Sequence, residues 1–441
     1  MKNGYKGALL DLDRRSRESV PSRRSRMSGD WVALAGRQTV DTEPIITDST
    51  RQPWLPSPAL CLAAFRAGRL PLLRAAGTCH RKLFQEPVHL THFFAINYVM
   101  PPASLLDELA WLRDLGLRQV VLPLDQDASD VQQVKALAAI QNLRTENCRV
   151  AAVLRQKRGA QTEPETWHQF CYWILAQVGW QLERVQLGDR LDAGVRERKD
   201  VAKWTQLFTH VPRLRRDYPG VALLAPGMER FDAVLPVKAL QRLLPEGHLW
   251  DGVTMRAPAW QMLESVGQDA VFLRRLTLAG AVALRPEVMG GKVRVCFPPS
   301  PAGCEVAAEE RIAGSVVRRA VLALCSGMAD QVSIGMDPVV RVAERQVLST
   351  AIRELVAQLE GARFERRVRV GDANRDFVLE FSRTGRPPVL VGWTDGEARQ
   401  VSVPFRIGTA SDYLCRGVPM LPHPRVRLTR NMSYFAGSGG Q

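Results

Sequence analysis

Short apolar runs alternate with amphipathic segments along the chain between about residues 89 and 360. The run HFFAINYV predicts a strand, and the segment PPASLLDELAWLRDLG after it carries leucines at helical spacing up to Gly116, where a helix would end. The same succession recurs, and the runs that predict strands are HFFAINYV, LRQVVLPLD, CRVAAVLR, LERVQLGD, VALLAPG, WDGVTMRAP, KVRVCFPPS and ADQVSIGMD. Strands that alternate with helices require a parallel sheet with helices outside it, and eight such units over 89–360 favour a closed (β/α)8 TIM barrel.

The pattern changes after residue 360, where apolar and polar positions alternate with period two. The turn sequences GDAN, RTGRPP and TDGEA separate the alternating runs, so we predict a small antiparallel β-sandwich domain over 361–441. Before the barrel, residues 57–88 carry short helical patterns with proline and glycine breaks, which predict a helical lead-in. Residues 1–56 are polar, basic and interrupted, as is typical of a disordered segment.

The chain is basic: its 441 residues include 60 Lys and Arg against 45 Asp and Glu, a net charge of +15. This charge suits an anionic partner, and part of the excess lies in the segment RRSRESVPSRRSR near the N-terminus. The sequence contains no nucleic-acid motif with interleaved aromatic residues, which disfavours nucleic acid and favours an acidic glycan or anionic lipid.

The eight cysteines form no C-x-x-C pair, and several lie inside apolar runs. We therefore predict reduced, buried thiols and neither a metal site nor a cofactor. The sequence has no apolar run of the roughly 18 residues that would predict a transmembrane helix. The N-terminal segment lacks the apolar core of a secretory signal, which predicts a cytoplasmic protein and leaves peripheral membrane association open. The oligomeric state is not specified by the sequence.

The predicted fourth strand ends in VQLGDR, similar to the V-Q-[IV]-G-N-E pattern that closes a catalytic strand in many sugar-cleaving barrels. Further similarities lie in LLDELAWLRDLGLRQVVLPLD, YPGVALLAPG, AAEERIAGSVVRRAVLALCSGMADQVSIG and the alternating C-terminal region. Over about residues 92–436 the chain thus resembles the clan A glycoside hydrolases, especially family-39-like enzymes with an appended β-sandwich. The resemblance implies a site at the carboxyl-terminal ends of the strands, with a Glu acid/base closing strand four and a Glu nucleophile closing strand seven.

The two catalytic positions implied by the resemblance carry other residues in this chain. Arg190 stands at the acid/base position and Phe297 at the nucleophile position. An arginine cannot act as a general acid because its pKa exceeds about 12, and a phenylalanine cannot attack an anomeric carbon. We therefore predict that the ordinary two-carboxylate mechanism is absent. The nearby carboxylates that could substitute, including in an inverting arrangement, are Asp189, Glu229, Glu305 and Asp337.

Arg190 and Arg256 are both expected to point into the mouth of the barrel, where guanidinium groups bind carboxylate or phosphate through paired hydrogen bonds. This favours a carbohydrate or sugar-phosphate ligand. Alternatively, the arginines pair with Asp189, Asp125 or Asp251 and bind no ligand. The remaining candidate ligand contacts are Asn97 and Asp125 for sugar hydroxyls, Asp189, and Trp260 for stacking on a sugar ring. Four further tryptophans are predicted to pack in the core: Trp167, Trp173, Trp180 and Trp204.

Three functions are consistent with these patterns. The first is a glycoside-hydrolase-like protein that has lost hydrolytic activity and binds carbohydrate in cell-surface polysaccharide metabolism. The second is an active glycoside hydrolase that uses relocated carboxylates. The third is a basic interaction protein whose N-terminal segment contacts anionic lipid or nucleic acid. Because a fold does not by itself confer an activity, the first two rest partly on the resemblance.

Overall fold

The structure is a computed structural model, and it describes residues 79, 82–99, 102, 105–157, 159–160, 163–191, 194–195, 197–229, 231, 234–244, 250–257, 268–283, 293–299, 306–337, 346–372 and 375–438. The predicted basic segment 1–56 lies outside these residues, as do most of the predicted lead-in and the candidate residues Trp260 and Glu305. None of the helices within the described ranges is long and apolar enough to cross a membrane.

Eight parallel strands close into a barrel in chain order, with the last strand beside the first. The described residues contain sixteen strands in all, in the barrel and in the antiparallel sheets: β1 (Val88–His89), β2 (Phe94–Tyr98), β3 (Gln119–Asp125), β4 (Arg149–Arg155), β5 (Leu182–Leu187), β6 (Ala222–Met228), β7 (Gly252–Arg256), β8 (Val293–Phe297), β9 (Ala329–Met336), β10 (Arg363–Arg367), β11 (Asp376–Arg383), β12 (Arg386–Thr394), β13 (Arg399–Ser402), β14 (Ile407–Asp412), β15 (Arg425–Leu428) and β16 (Ser433–Gly437). The barrel consists of β2 to β9, and β2 pairs with β9 from Phe94 opposite Val332 to Tyr98 opposite Met336. The predicted (β/α)8 barrel is confirmed.

Helices connect and surround the barrel strands. Those described are α1 (Leu105–Asp114), α2 (Asp130–Thr145), α3 (Pro164–Val178), α4 (Arg198–Leu207), α5 (Val211–Asp217), α6 (Val234–Arg242), α7 (Gln268–Ala283), α8 (Val306–Cys325) and α9 (Gln346–Leu359). Local sequence sets their ends: Ser129 caps α2 in a capping box with Gln132, and Pro164 begins α3 at a position where a missing amide costs no hydrogen bond.

The barrel strands alternate between two environments. In β4, Val150, Ala152 and Leu154 pack in the large core that the strands share with the helices. The alternate positions face the barrel interior, where a small separate apolar cluster consists of Ala95, Val121, Ala151 and Val153. The remaining buried interior positions are largely polar, and they include Gln119, Gln186, Thr254, Arg294, Gln331 and Ser333. A polar interior leaves hydrogen-bonding groups in the barrel beneath its mouth.

The C-terminal domain is antiparallel, as predicted. Its larger sheet has the order β1-β10-β11-β12-β16-β14, and β13 pairs with β15 in a second sheet. Val378 and Leu390 on one face of the larger sheet pack against Val401 and Val426 of the smaller one. The opposite face, which includes Trp393, belongs to the core shared with the barrel. The larger sheet is therefore buried on both faces. Val88, the last residue of the predicted helical lead-in, lies instead in the edge strand β1.

A buried ionic network joins the barrel helices to this domain. Asp269 of α7 is 1% exposed, and its carboxylate lies 3.2 Å from both Arg318 and Arg319 of α8. The indole of Trp393 donates to the same carboxylate over 3.1 Å, and Arg318 donates to the backbone oxygen of Arg430 over 2.7 Å. One carboxylate thus links two barrel helices to the β-sandwich.

One of the leucines at helical spacing and two of the tryptophans predicted to pack in the core are exposed. Leu106 is 80% exposed because Leu105, Leu109 and Leu112 already cover the buried side of α1, and Leu106 lies outside that stripe. Trp180 is 80% exposed at the turn before β5, and Trp173 is 39% exposed on α3. By contrast, the predicted core tryptophans Trp167 and Trp204 are buried.

Candidate ligand site at the mouth of the barrel

The carboxyl-terminal ends of the strands meet at one end of the barrel, where most of the predicted site residues lie. Active sites of (β/α)8 barrels occupy this end because each strand delivers a side chain there from a rigid position. The polar residues at or just after the strand ends are Asn97, Asp125, Arg155, Asp189, Arg190, Glu229, Arg256, Cys296 and Asp337. Both acidic and basic groups therefore line the mouth.

A glycine turn redirects the chain at the end of β5. Gly188 has a φ of 90°, a left-handed conformation that favours glycine, and it ends the regular strand. Pairing with β6 then resumes, since the amide of Gly227 donates to the oxygen of Asp189 over 3.0 Å and the amide of Leu191 donates back to Gly227. A Cβ at Gly227 would lie 2.9 Å from the Asp189 oxygen, so this close approach requires glycine. The turn fixes where Asp189 and Arg190 stand.

Both predicted arginines of the mouth are paired with carboxylates. Arg256 donates from Nη1 to Oδ1 of Asp189 over 2.7 Å, and Arg190 donates from Nη2 to Oε2 of Glu229 over 2.8 Å. Burial opposes the charge of Arg256, but Asp189, Cys296 and Glu229 together outweigh it and raise the pKa of Arg256. Arg256 therefore pairs with Asp189, which is one of the partners expected if the arginines of the mouth bind no ligand. Asp251, another partner named there, lies at the start of β7 and pairs with Arg215 at 2.8 Å.

On the other side of the mouth, Arg155 closes β4 beside Asp125. Arg155 lies 3.6 Å from Asp125 and donates to the backbone oxygen of Val99 over 2.8 Å. Burial raises the pKa of Asp125, and the nearby charges of Asp127 and Asp189 add to this, whereas Arg155 lowers it. Asp125 therefore keeps a proton to a higher pH than a solvated aspartate does.

Gln186 connects the interior of the barrel to the turn at Gly188. Its amide nitrogen donates to the oxygens of Gly188 and Asp189 over 2.9 and 3.1 Å. Its oxygen accepts from the hydroxyl of Thr254 over 2.7 Å and from Nη2 of Arg294 over 3.3 Å. One buried amide thereby fixes the backbone that carries the Asp189 and Arg190 side chains.

The end of β8 presents a cysteine to the barrel interior and a phenylalanine to the helices. Phe297 is fully buried in the outer core and stacks on Phe272 of α7 at a ring distance of 6.1 Å. Cys296 lies on the opposite face, where its sulfur accepts from the amide nitrogen of Asn97 over 2.9 Å. The structure thus brings Asn97 to Cys296, and the Phe297 side chain lies behind the strand.

A depression of about 360 Å³ lies beside the mouth, between α2 and α3. Gln126 and Lys157, which follow the ends of β3 and β4, form its inner edge, and the partly exposed Trp173 lines it from α3. Amide groups, an ammonium and an aromatic face are the kinds of group that bind sugar hydroxyls and stack on sugar rings. The depression therefore extends the set of polar and aromatic groups outward from Asp125.

Several residues of the site were missed by sequence reasoning. Gln186, Arg294, Cys296 and the depression residues other than Trp173 received no role, although the alternation of each strand indicates which residues face inward. In KVRVCF, Arg294 and Cys296 have the parity opposite to that of the valines, and this pattern could have identified them. Asp337 follows β9 and is half-buried. Within the described part of the chain, no three His, Cys, Asp or Glu residues are grouped so as to hold a metal ion.

Comparison with known proteins identifies the architecture. No protein-family model and no curated protein matches the chain. A family 39 glycoside hydrolase from the gut symbiont Bacteroides cellulosilyticus WH2 is similar with a TM-score of 0.55 at 12% identity, over 81% of this chain and 82% of that chain. A GH30 endoxylanase from Clostridium papyrosolvens C71 has a TM-score of 0.50 at 10% identity, over 81% and 98% of the two chains. The resemblance to clan A glycoside hydrolases is thus confirmed at the level of the fold.

Proposed function

We propose that this protein binds carbohydrate at the mouth of its barrel without hydrolysing it, as a binding or assembly partner in cell-surface polysaccharide metabolism. The observation that carries the proposal lies at the end of β5. There Arg190 stands at the position that the resemblance assigns to the acid/base, and it is paired with Glu229. The adjacent carboxylate, Asp189, is paired with Arg256.

These pairs disfavour acid catalysis by the two carboxylates. A general acid must present a protonated oxygen to the leaving group. One oxygen of Asp189 and one of Glu229 instead accept a hydrogen bond from a guanidinium, so these oxygens face an arginine and not a leaving group. The loss of hydrolysis is therefore proposed from the partners of these two groups.

The depression beside the mouth supports carbohydrate binding. The exposed face of Trp173 can stack on a sugar ring, while Gln126 and Lys157 can bind its hydroxyl groups. Asn97 and Asp125 extend the polar lining into the mouth. A glycan that occupies both places would run from the side of α3 to the barrel axis.

Asp125 gives a specific reason to keep the hydrolase alternative. Burial raises its pKa, and a raised pKa is what a carboxylic acid needs in order to protonate a leaving group near neutral pH. An active enzyme would then pair Asp125 with a second carboxylate across the mouth. The third alternative, binding of anionic lipid or nucleic acid by the N-terminal segment, falls on residues outside the described ranges and stays a prediction.

The experiment combines binding and turnover on one panel of bacterial surface oligosaccharides. Binding is measured by calorimetry for the full chain and for Trp173→Ala, with Trp180→Ala as the matched control, because Trp180 is exposed far from the mouth. We expect that W173A weakens binding about tenfold, as for the loss of an aromatic ring that stacks on a sugar, and that W180A leaves binding unchanged.

Products are followed by mass spectrometry in parallel. A shorter sugar that disappears in Asp125→Asn would establish the hydrolase alternative, and no binding of any oligosaccharide would reject the proposal.

A further inference from the structure

Arg294 is a buried charge with an incomplete set of partners. It lies in the middle of β8, faces the interior of the barrel and is 2% exposed. Its Nη2 donates to Gln186, but Nε and Nη1 have no acceptor among the residues that the structure describes. Burial lowers the pKa of Arg294, yet a guanidinium remains protonated in proteins. Two hydrogen-bond donors of a cation are therefore unused inside the barrel.

Arg319 is the other fully buried arginine among the described residues, and it differs from Arg294 in having a counter-charge. Its three guanidinium nitrogens also lack a hydrogen-bond partner there, but the carboxylate of Asp269 lies 3.2 Å from its Nε. No carboxylate among the described residues lies within 4 Å of Arg294. A buried cation without a counter-charge is costly, so an uncompensated one indicates a missing partner.

The charged groups around Arg294 are already engaged with one another. Towards the amino-terminal end of the barrel, Arg184 pairs with Asp330 at 2.8 Å. Towards the mouth, Arg256 pairs with Asp189 at 2.7 Å. Since each neighbouring pair is internally neutral, Arg294 keeps an unbalanced charge among the described residues around it.

Arg294 lies directly beneath the floor of the mouth. Cys296 is the next inward residue of β8, is 8% exposed, and is opposite Arg256 in the pairing of β7 with β8. The inward positions level with Cys296 on the next two strands are Ser333 and Ala95, whose side chains are small. Cys296, Ser333 and Ala95 are therefore the described inward residues at the level between Arg294 and the mouth.

We propose that Arg294 binds an anionic group of the ligand, a carboxylate, sulfate or phosphate carried by a sugar, at the floor of the mouth beside Cys296. The anion supplies the acceptors that Nε and Nη1 lack. The inference deepens the proposed carbohydrate binding and rests on it. It places the anion specificity on Arg294, because Arg190 and Arg256 already have carboxylate partners.

Cys296 provides a local probe of this charge. The full chain is alkylated with iodoacetate, which is anionic, and with iodoacetamide, which is neutral, and modification of each cysteine is followed by peptide mass spectrometry. The ratio of the two rate constants at Cys296 is compared with the ratio at Cys415, an exposed thiol beside Glu354. We expect the iodoacetate preference at Cys296 to fall about tenfold in Arg294→Met, as for a unit charge a few ångströms away at protein dielectric.

Three variants make the result specific. Arg294→Lys keeps the charge and should keep the preference, and Arg184→Met removes a paired arginine and should leave it unchanged. Arg294→Gln removes the charge, keeps an amide that can donate to Gln186, and should also abolish the preference. If R294M fails to fold, R294Q alone decides. An unchanged ratio in a folded R294M or R294Q variant overturns the inference.

The source of the anion is tested by protection of Cys296 with glucuronate, glucose and inorganic phosphate. Protection by glucuronate but not by glucose, lost in R294M, supports an acidic sugar. Protection by phosphate alone retains the anion site and overturns its assignment to a sugar.

Binding of neutral oligosaccharides is measured in the same variants. If it persists in R294M while the alkylation ratio never changes, the inference fails and the proposed function stands. If no oligosaccharide binds at all, the proposed function itself fails.

Discussion

Arg256 reaches past strand β6 and donates from Nη1 to Oδ1 of Asp189, 2.7 Å away, so that an ion pair connects the ends of β5 and β7. The intervening strand contributes Gly227, whose absent side chain makes room for the aliphatic part of Arg256 and for the backbone of Asp189. The ion pair therefore requires residues of β5, β6 and β7. It occupies part of the space at the end of β5 that an acid/base residue would need.

The coupling between Asp189 and Arg256 can be measured with a double-mutant cycle of Asp189→Asn and Arg256→Met. Both side chains are about one-third exposed, so we expect a coupling of about 0.5–1 kcal/mol in the free energy of unfolding, as for solvent-screened pairs. Urea unfolding of the four proteins gives this value. A coupling free energy of zero would mean that the ion pair positions the two side chains without stabilising the folded chain.

Gly227→Ala should destabilise the end of β5 and disturb the mouth. The new Cβ would lie 2.9 Å from the backbone oxygen of Asp189, which cannot move without breaking its hydrogen bond to the Gly227 amide. We expect a loss of about 1–3 kcal/mol, as for overpacking at a rigid site. Gly220→Ala is the matched control, because a Cβ there meets nothing within 4 Å, and it should be neutral to within about 0.5 kcal/mol. Equal unfolding free energies for the two variants would contradict the prediction.

Much of the fold followed from periodicity. Runs such as CRVAAVLR and KVRVCFPPS are short, apolar and separated by helical segments, and these features are local. The exposed position of Leu106 was not predictable in the same way, because helical spacing does not specify which of two adjacent leucines faces the solvent. Trp180 lies in the turn before β5, outside any helical stripe. The edge strand β1 was also missed, since two residues carry no periodicity and their pairing with β10 joins positions far apart in the chain.

The site was predictable in its location and less so in its partners. The strand ends placed Asn97, Asp125, Arg190 and Arg256 at one end of the barrel. The partner of each group depends on the stagger of neighbouring strands, which the sequence does not specify. The pairing of Arg190 with Glu229 therefore required the structure. The burial of Arg294 could be inferred only from the alternation of inward and outward residues along β8. Its unused hydrogen-bond donors could be identified only from the structure.

Stability should fall between neutral and mildly acidic pH because of His210. Burial, and next the nearby His168 ring at 4.1 Å, lower the pKa of His210 from 6.5 to about 3. Between those values the unfolded chain binds a proton that the folded chain does not, so stability is lost as pH falls below 6.5. We expect a decrease of about 2 kcal/mol between pH 7 and pH 5. Urea unfolding of the full chain at the two pH values measures it.

The same measurement on His210→Phe assigns the effect, since phenylalanine keeps a ring in the packing beside Tyr172 and has no proton to bind. We expect this variant to lose most of the pH dependence that His210 causes. His89→Gln is the control, because His89 is exposed, and it should keep the dependence of the parent chain. A dependence that survives in H210F would assign it to other groups.

Asp269→Asn should be the most destabilising conservative substitution at the junction of the barrel and the β-sandwich. It removes the carboxylate from Arg318, Arg319 and Trp393 at once and leaves the fully buried Arg319 without its counter-charge. Breaking a buried pair in this way costs about 3–5 kcal/mol, which for a chain of this size is a large fraction of the stability. Asp114→Asn is the matched control: it removes a carboxylate paired with Arg353, but both groups are about half exposed, and the cost should stay below about 1 kcal/mol. Thermal and urea unfolding followed by both far-ultraviolet dichroism and tryptophan fluorescence test the prediction. If the fluorescence of Trp393, obtained as the difference from a Trp393→Phe background, is lost before the dichroism signal in D269N, the junction opens before the barrel unfolds, because Trp393 lies on the sandwich side of the network. If D269N and D114N cost the same, the Asp269 network does not hold the two parts together.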